Sequence, residues 1–342
     1  MPIVRIIRPL GAAFLVLLYA AANAAAVSAP IRVVASFSIL KDLAQEIGGA
    51  DVAVTSLIGP DADAHTFEPR PEQAQLLSRA RLFIVNGLGL EGWLLRLTGS
   101  AQYRGLVIVA SEGITPITAT EPGATASDPH AWQDPRNAIL YAENIARALA
   151  AADPPHAEAY QDRLRDYEVR LEALDRRVRE ELAAIPAEKR RVITNHDAFA
   201  YYGKAYGVTF LAPEGISPES EPSAAAIAGL IRQIRRERIK ALFIENISDP
   251  RLVEEIARET GSAPGPPLYS DALSGANGPA SSYIKMLEYN TAALTAGMLK
   301  NCVRRAACGW RPGQNRRRSA HQGTAPPLPP GSLPARSARR YG

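Results

Sequence analysis

The 342-residue chain predicts an α/β protein of two lobes, each with a roughly four-stranded parallel sheet and flanking helices, joined by one long rigid helix. Three observations predict it. Short β-rich runs fall into two sets. Helical patterns separate the runs within each set. A long glycine-free stretch of helical periodicity lies between the sets.

Taken in order, the chain opens on Arg5 and Arg8, then the apolar run "GAAFLVLLYAAANAAA", which ends in Ala22-Asn23-Ala24 and other small residues. A basic start, a short apolar run and an A-x-A site predict a cleaved secretory signal peptide over residues 1–26. No cysteine follows the run, so a lipid anchor is not expected, and the mature protein is expected in the periplasm. The N-terminal lobe, 30–150, carries "IRVVASFS", "VAVTSLI", "LFIVNGL" and "LVIVAS", with helical segments such as "ILKDLAQEIGG" and "RPEQAQLLSRA" between them. Residues 154–185 have no glycine and repeat Leu164, Tyr167, Leu171, Leu174 and Val178 at helical spacing. Proline opens this stretch and Pro186 closes it. At about 1.5 Å per residue it spans over ~40 Å, long enough for a strut. The C-terminal lobe, 190–300, carries "RVITNH", "GVTFLAP", "ALFIEN" and "PLYSDAL", separated by helical patterns at 222–239 and 250–261. Residues 301–342 are rich in Arg and Pro without apolar periodicity, which predicts a disordered basic tail.

Charge divides the same way. The formal net charge is +4. Removing Arg5, Arg8 and the ten basic residues from Lys300 onward leaves 27 of the 39 basic residues against 35 acidic ones, a net of −8. An acidic body argues against nucleic acid as the partner and is compatible with a cationic ligand. The only cysteines, Cys302 and Cys308, lie in the tail, where an oxidising compartment permits a disulfide. The body therefore has no thiolate nucleophile and no thiolate metal ligand.

Of five histidines, three share one kind of position. His65 follows the second strand run, His130 follows the loop after the fourth, and His196 ends the first strand run of the second lobe. In open α/β sheets, ligands bind beyond the carboxyl ends of the strands. His156, at the start of the long helix, and His321, in the tail, lack that position and read as solvated. Asp271, in "LYSDALSG", ends the last strand run and supplies a carboxylate at an equivalent place; its ordinary use would be a helix cap or turn. Three imidazoles and one carboxylate suit a divalent transition metal, Zn2+ before Mn2+, since manganese prefers more oxygen. The four residues lie 65, 66 and 75 positions apart, so only folding can assemble them.

The segments "DAHTFEPRP", "DPHAWQDPRNA", "NHDAFAYYGKAYG" and "LYSDALSG" resemble, in order and spacing, the ligand motifs of the zinc/manganese solute-binding proteins of ABC importers, the ZnuA/TroA family. "GISPESEPSAAAIAGLI" and "ALFIENISDPRLVEEIARETG" resemble its second lobe, and the resemblance spans roughly 31–299. It implies His65, His130, His196 and Asp271 as metal ligands in an interlobe cleft, with an ABC permease and its ATPase subunit as partners of a monomeric binding protein. Members with glutamate at the third ligand position tend toward manganese, so His196 points to zinc. Zinc-specific members often carry a histidine-rich loop before the second ligand, and "TPITATEPGATASDP" has no histidine.

Supporting residues follow from coordination chemistry. Each ligating imidazole needs an acceptor for its other N–H, and Glu68, Asp128, Asp197, Glu219, Glu221 and Glu245 are the candidates. Phe67, Trp132, Phe199, Tyr201 and Tyr202 are available to wall the cleft, and Pro69, Pro71 and Pro135 to stiffen the ligand loops. An enzyme is the competing class: a zinc hydrolase keeps one coordination position open, whereas four residues fill this set, and no HExxH, G-x-S-x-G or Walker A motif occurs. An adhesin or a metal buffer on the same fold is the other alternative. Metal release is expected as imidazoles protonate below about pH 6.

Overall fold

Strands β1 (Ile31–Ala35), β2 (Val52–Ser56), β3 (Leu82–Val85) and β4 (Leu106–Val109) form one parallel sheet in the order β2-β1-β3-β4. The register sets Ile31 against Val52, Val33 against Leu82, and Leu82 against Leu106. This is seen in a computed structural model that describes residues 29–121, 124–217 and 222–302. The expected signal peptide and residues 303–342 of the expected tail, with Glu219, Glu221, Cys308 and His321, lie outside the described residues, whereas Asn301, expected in the tail, is buried and bonds Lys189, Arg191, Lys240 and Ala241. β3 is apolar and buried at every position, as a central parallel strand covered on both faces should be. β4 is the edge and leaves Leu106, Val107 and Val109 exposed.

Helix α1 (Ser38–Gly48) follows β1 directly and buries Ile39, Leu40, Leu43, Ala44 and Ile47, a stripe at helical spacing. Pro71 opens α2 (Pro71–Ser78) at its first turn, where the missing N–H costs nothing. Helix α3 (Leu94–Ser100) precedes β4. Within the histidine-free loop, β5 (Thr118–Glu121) and β6 (Ala124–Ser127) pair antiparallel. The alternating Thr and Ala around Glu-Pro-Gly are a hairpin signal that the sequence reading leaves as loop. Helix α4 (Pro135–Ala152) starts at Asp134, whose side chain accepts the Arg136 N–H.

The long helix is α5 (Ala157–Ala183), 27 residues or about 40 Å. Tyr160, Leu164, Tyr167, Leu171, Leu174, Val178 and Leu182 form its buried stripe, which includes all five positions named from the sequence. It packs on α4 and α1, and on α9 (Tyr283–Leu299), the last helix.

Beyond α5, β7 (Arg191–Ile193) and β8 (Thr209–Leu211) pair in parallel around α6 (Ala200–Tyr206). The runs at 241–246 and 267–273 join them only through single parallel bridges, Ile193 to Leu242 and Glu245 to Leu268. Full strands were expected there. The ladder stops because side chains take its bonds: Glu245 Oε1 accepts the Asn195 and His196 N–H groups, and Asn195 Oδ1 accepts the Glu245 N–H. Helices α7 (Ala224–Glu237) and α8 (Arg251–Thr260) cover a small cluster of Ile193, Ile234, Ile239, Leu242, Ile256 and Ala257. The main core runs without interruption from the first sheet, through α5, to Phe243, Leu268 and Met286. Among the described residues, no helix is long and apolar enough to cross a membrane.

Candidate metal centre

His65 lies in the loop after β2. Its N–H donates to Asp63 Oδ1 at 2.8 Å, and Thr66 Oγ1 donates to Asp63 Oδ2 at 2.7 Å, so Asp63 folds the loop around it. The Asp61 N–H donates to the Leu273 carbonyl at 3.0 Å, which ties this loop to the segment of Asp271.

His130 sits just before the short turn Ala131–Gln133 that leads into α4. Asp128 Oδ1 accepts its backbone N–H at 2.9 Å and lies 2.7 Å from its ring Nδ1. Nε2 is thereby left as the ligand nitrogen. His196 is built the same way three residues past β7. Glu245 Oε1 takes its N–H, and Glu245 Oε2 lies 2.7 Å from its Nδ1. Asp271 follows the bridge at Leu268. The carbonyl before it, of Ser270, accepts Trp132 Nε1 at 2.9 Å and Gln133 Nε2 at 2.7 Å, so the turn that follows His130 holds the carboxylate's backbone.

These four side chains meet. One ligand atom from each of His65, His130, His196 and Asp271 lies within 4.8 Å of all the others. Asp271 Oδ2 is 3.2 Å from both His65 Nε2 and His196 Nε2, and Oδ1 is 3.5 Å from His130 Nε2. His65 and His130 bring their Nε2 atoms to 3.1 Å. His130, His196 and Asp271 are fully buried, and the His65 side chain is 7% exposed. A cavity of about 410 Å³, lined by Leu88, Leu90, Pro129 and Ile216, opens on His65.

Both Asp271 oxygens and His196 Nε2 are buried without a hydrogen-bond partner. A buried carboxylate in that state is costly, and a cation among the donors satisfies it. The electrostatics agree. Burial opposes charge on His130, but Asp271 and Asp128 outweigh it and push the imidazole up to about 9. Burial likewise opposes charge on His196, and Glu245 and Asp271 raise it well above the ordinary value. Burial alone would raise Asp271, but His130 and His196 hold it well below the usual carboxylate range. A proton on either imidazole would occupy the lone pair a divalent ion needs, so protons and metal compete for this cluster.

The other sequence candidates separate. Asp128 and Glu245 back the imidazoles; no hydrogen bond or ion pair joins Glu68 to a ligating histidine among the described residues. Trp132 packs 5.2 Å from the His130 ring, while Phe67 packs on Trp93 and Phe199 on Phe210. The Tyr201 hydroxyl donates to the Asp128 carbonyl, and Tyr202 pairs with Thr291. His156 is not simply solvated. Its Nδ1 is 2.6 Å from Asp153 Oδ2, its Nε2 is 3.7 Å from Asp51 Oδ1, and its side chain is only 30% exposed. The i, i+3 spacing of Asp153 and His156 at the start of the helix carries that pairing. Sequence reading also missed Gln133 and the Ser270 carbonyl, since backbone acceptors leave no residue signature.

Residues 33–297 match the family described as "Zinc-uptake complex component A periplasmic". The iron-binding protein YfeA of Yersinia pestis is 34% identical over 267 residues, covering 78% of this chain and 86% of that protein. The manganese ABC transporter substrate-binding lipoprotein PsaA of Streptococcus anginosus is 31% identical over 277 residues, covering 79% and 90%. The periplasmic zinc binding protein TroA from Treponema pallidum shares the fold with a TM-score of 0.74 at 28% identity, covering 79% of this chain and 99% of that one. Each of these relatives is named for binding a metal or a transported substrate. The chain belongs to the periplasmic zinc-uptake component A family and is a metal-binding, extracytoplasmic substrate-binding component of an ABC importer.

Proposed function

We propose that this protein captures Zn2+ in the periplasm, using His65, His130, His196 and Asp271, and delivers it to an ABC permease driven by a cytoplasmic ATPase subunit. The two lobes are taken as residues 30–150 and 190–300, with 154–185 as the strut between them. The observation that carries the reading is the donor set: three imidazole nitrogens and one carboxylate, each imidazole of the buried pair backed by a carboxylate. Nitrogen-rich, compact coordination favours zinc among the abundant divalent ions. The same donors explain why a carrier, not a catalyst, results. Four side chains close on one point and leave little room for a reactive water.

A manganese reading has one specific observation in its favour. Asp271 turns both oxygens toward the imidazoles, Oδ2 toward two and Oδ1 toward the third, which permits a five-coordinate N3O2 shell. Relatives named for iron and for manganese are 34% and 31% identical to this chain. The deciding experiment is metal content of protein purified from the native compartment, followed by direct competition of Zn2+ against Mn2+. Zinc at one ion per chain, displaced only by large manganese excess, is expected. Manganese as the resident ion, or manganese winning at equal free concentration, overturns the zinc assignment. Deletion should slow growth in chelated medium, and zinc alone should restore it.

A further inference from the structure

The loop between β3 and α3 contains a buried carboxylate that the metal centre does not touch. Glu91 Oε1 accepts the Ser36 hydroxyl and the Asn86 N–H, each at 2.7 Å, and Oε2 accepts the Gly87 N–H at 3.0 Å. Three donors on one buried carboxylate fix the first residues of the loop. Asn86, 0% exposed, is the residue so fixed, and all its polar atoms are used. Its carbonyl accepts Ser111 Oγ at 2.6 Å, its Oδ1 accepts the Tyr141 hydroxyl at 2.5 Å, and its Nδ2 donates to the carbonyls of Gly87 and Pro129 at 3.0 Å each.

Pro129 directly precedes His130. The tripeptide Asp128-Pro129-His130 is held by two carbonyl handles. One is Asp128 O, which takes the Tyr201 hydroxyl at 3.0 Å; the other is Pro129 O, which takes Asn86. Proline has no N–H of its own, so its carbonyl is its only backbone hydrogen-bonding group. The loop on the far side of Asn86 is unusual. Gly87, Leu88 and Gly89 all have left-handed φ, at 82°, 56° and 90°. A Cβ on Gly87 would approach Val109 Cγ1 to 2.4 Å, and Leu88 is a branched side chain in a region that favours glycine. A non-glycine residue such as Leu88 is strained in this region and stays there only where its surroundings over-determine it. Here the Glu91 carboxylate and the Leu90 N–H bond to the Gly87 carbonyl, at 3.1 Å, do so. Leu88, Gly89 and Leu90 line the same cavity as His65 and Pro129.

We propose that Asn86, pinned by Glu91, is a positioning residue for the bound cation: through the Pro129 carbonyl it fixes the His130 ligand loop to the left-handed loop 87–89 beside the cavity. The inference rests on the metal-carrier reading above. With the amide in place, His130 is presented to the cation without a search over loop conformations. With it removed, the Pro129 carbonyl keeps only the Ala131 N–H of its own turn, at 2.9 Å, and loses its tie to the loop 87–89, so the imidazole is free to leave the ion first. The effect belongs to the dissociation rate, because association is limited by access and by dehydration of the ion.

The test uses the full chain loaded with Zn2+ and follows its release to excess chelator by stopped flow, beside the melting temperature of the metal-free protein. Asn86→Ala and Glu91→Gln are the variants. Gln keeps the shape of Glu91 but sets an NH2 group against a backbone N–H. The control is Asn144→Ala, which removes another buried amide that donates to two carbonyls, Ala110 O and Glu112 O, each at 2.9 Å, away from any ligand. Asn86→Ala and Glu91→Gln are expected to bind one ion per chain and release it about 10- to 100-fold faster. Asn144→Ala is expected to lower the melting temperature comparably and release zinc at the wild-type rate. Release within twofold of wild type in both Asn86→Ala and Glu91→Gln overturns the inference. So does acceleration in Asn144→Ala that matches its loss of stability, which would make the effect merely structural. Should Asn86→Ala not fold, Glu91→Gln decides alone. A His130→Ala protein that holds zinc as tightly as wild type would sink the carrier reading itself, and with it this inference. Loss of binding in His130→Ala with unchanged release from the two variants would sink only the inference.

Discussion

His65 and His196 stand at the same distance, 3.2 Å, from one oxygen of Asp271, yet the protein holds them in different ways. His196 follows a strand, is fully buried, and has a carboxylate, Glu245, on both its backbone N–H and its far ring nitrogen. His65 rides a loop without regular structure, keeps slight exposure at the cavity, and has no carboxylate paired with its Nδ1 among the described residues, its one ion-pair contact being Nε2 with Asp271. Asp63 orders the loop's backbone and leaves the ring unclamped. One side of the centre is thus preorganised and the other compliant. A carrier needs both, because it must bind tightly and still surrender its cargo, and a cage rigid on every side leaves no cheap first step for release.

That contrast can be broken by truncating ligands. Asp271→Ala is expected to have the largest effect, a loss of affinity of at least roughly 10³-fold, since it removes the only negative charge among the donors. His196→Ala should come next. His65→Ala should cost less than His196→Ala, because a compliant ligand has already given up part of its binding energy to ordering. Isothermal titration with Zn2+ ranks the three, and a His65→Ala protein weaker than His196→Ala would reverse the assignment of stiff and soft sides. The supporting carboxylates sharpen the point. Asp128→Asn and Glu245→Gln are each expected to weaken binding about 10- to 100-fold, while Asp63→Asn, which touches only the loop backbone, should cost several-fold less.

The same contrast decides what was legible in the sequence. His65, His130, His196 and Asp271 could be singled out because each is a metal-ligand residue type at the end of a strand run, and strand ends converge at one edge of a sheet. The stripe of α5 was legible because one face is apolar and the others charged. Helix α9 was not, since it buries Tyr283, Met286, Leu287, Asn290, Thr291, Ala293, Leu294, Gly297 and Met298 and so lacks a polar stripe to set the period. The shortened ladder at 241–246 was hidden for a different reason. Nothing in "ALFIEN" says that Glu245 will spend its carboxylate on the Asn195 and His196 N–H groups. Asp128 and Glu245 were among six candidates of equal standing, because residue type alone does not say which carboxylate the fold brings to an imidazole.

Protons test the stiff side separately. Free imidazole would release metal below about pH 6, but the carboxylates around His130 push it up to about 9, and His196 is raised as well. Protons on these raised groups compete with the cation for the same lone pairs. Affinity is therefore expected to climb with pH through the whole range from 6 to 9, by about tenfold per unit for each proton displaced. Titrations in buffers of different ionisation enthalpy count those protons directly. Affinity flat above pH 7 would mean that the buried imidazoles are already neutral before metal arrives. Asp128→Asn should shift the climb to lower pH while it weakens the plateau, since the partner that raises His130 is the partner that aligns it.

The smallest expected effect falls on the histidine outside the centre. His156 stands between Asp153 and Asp51 at the start of the long helix, and Tyr160 donates to the same Asp153 oxygen at 2.7 Å. Burial works against the Asp153 carboxylate, yet Tyr160 and His156 hold it below its ordinary value of 3.8. A lowered carboxylate contributes stability that is present above the unfolded value and fades as pH falls through the folded one. His156→Ala is therefore expected to lower the melting temperature at neutral pH by the equivalent of about 1 kcal/mol, to lose that penalty below about pH 4, and to leave zinc affinity within twofold of wild type. Thermal melts across pH, paired with one zinc titration, check both halves. A large loss of affinity in this variant would mean that the start of the strut reports to the metal centre, and the division between a preorganised and a compliant side would then have to extend along α5.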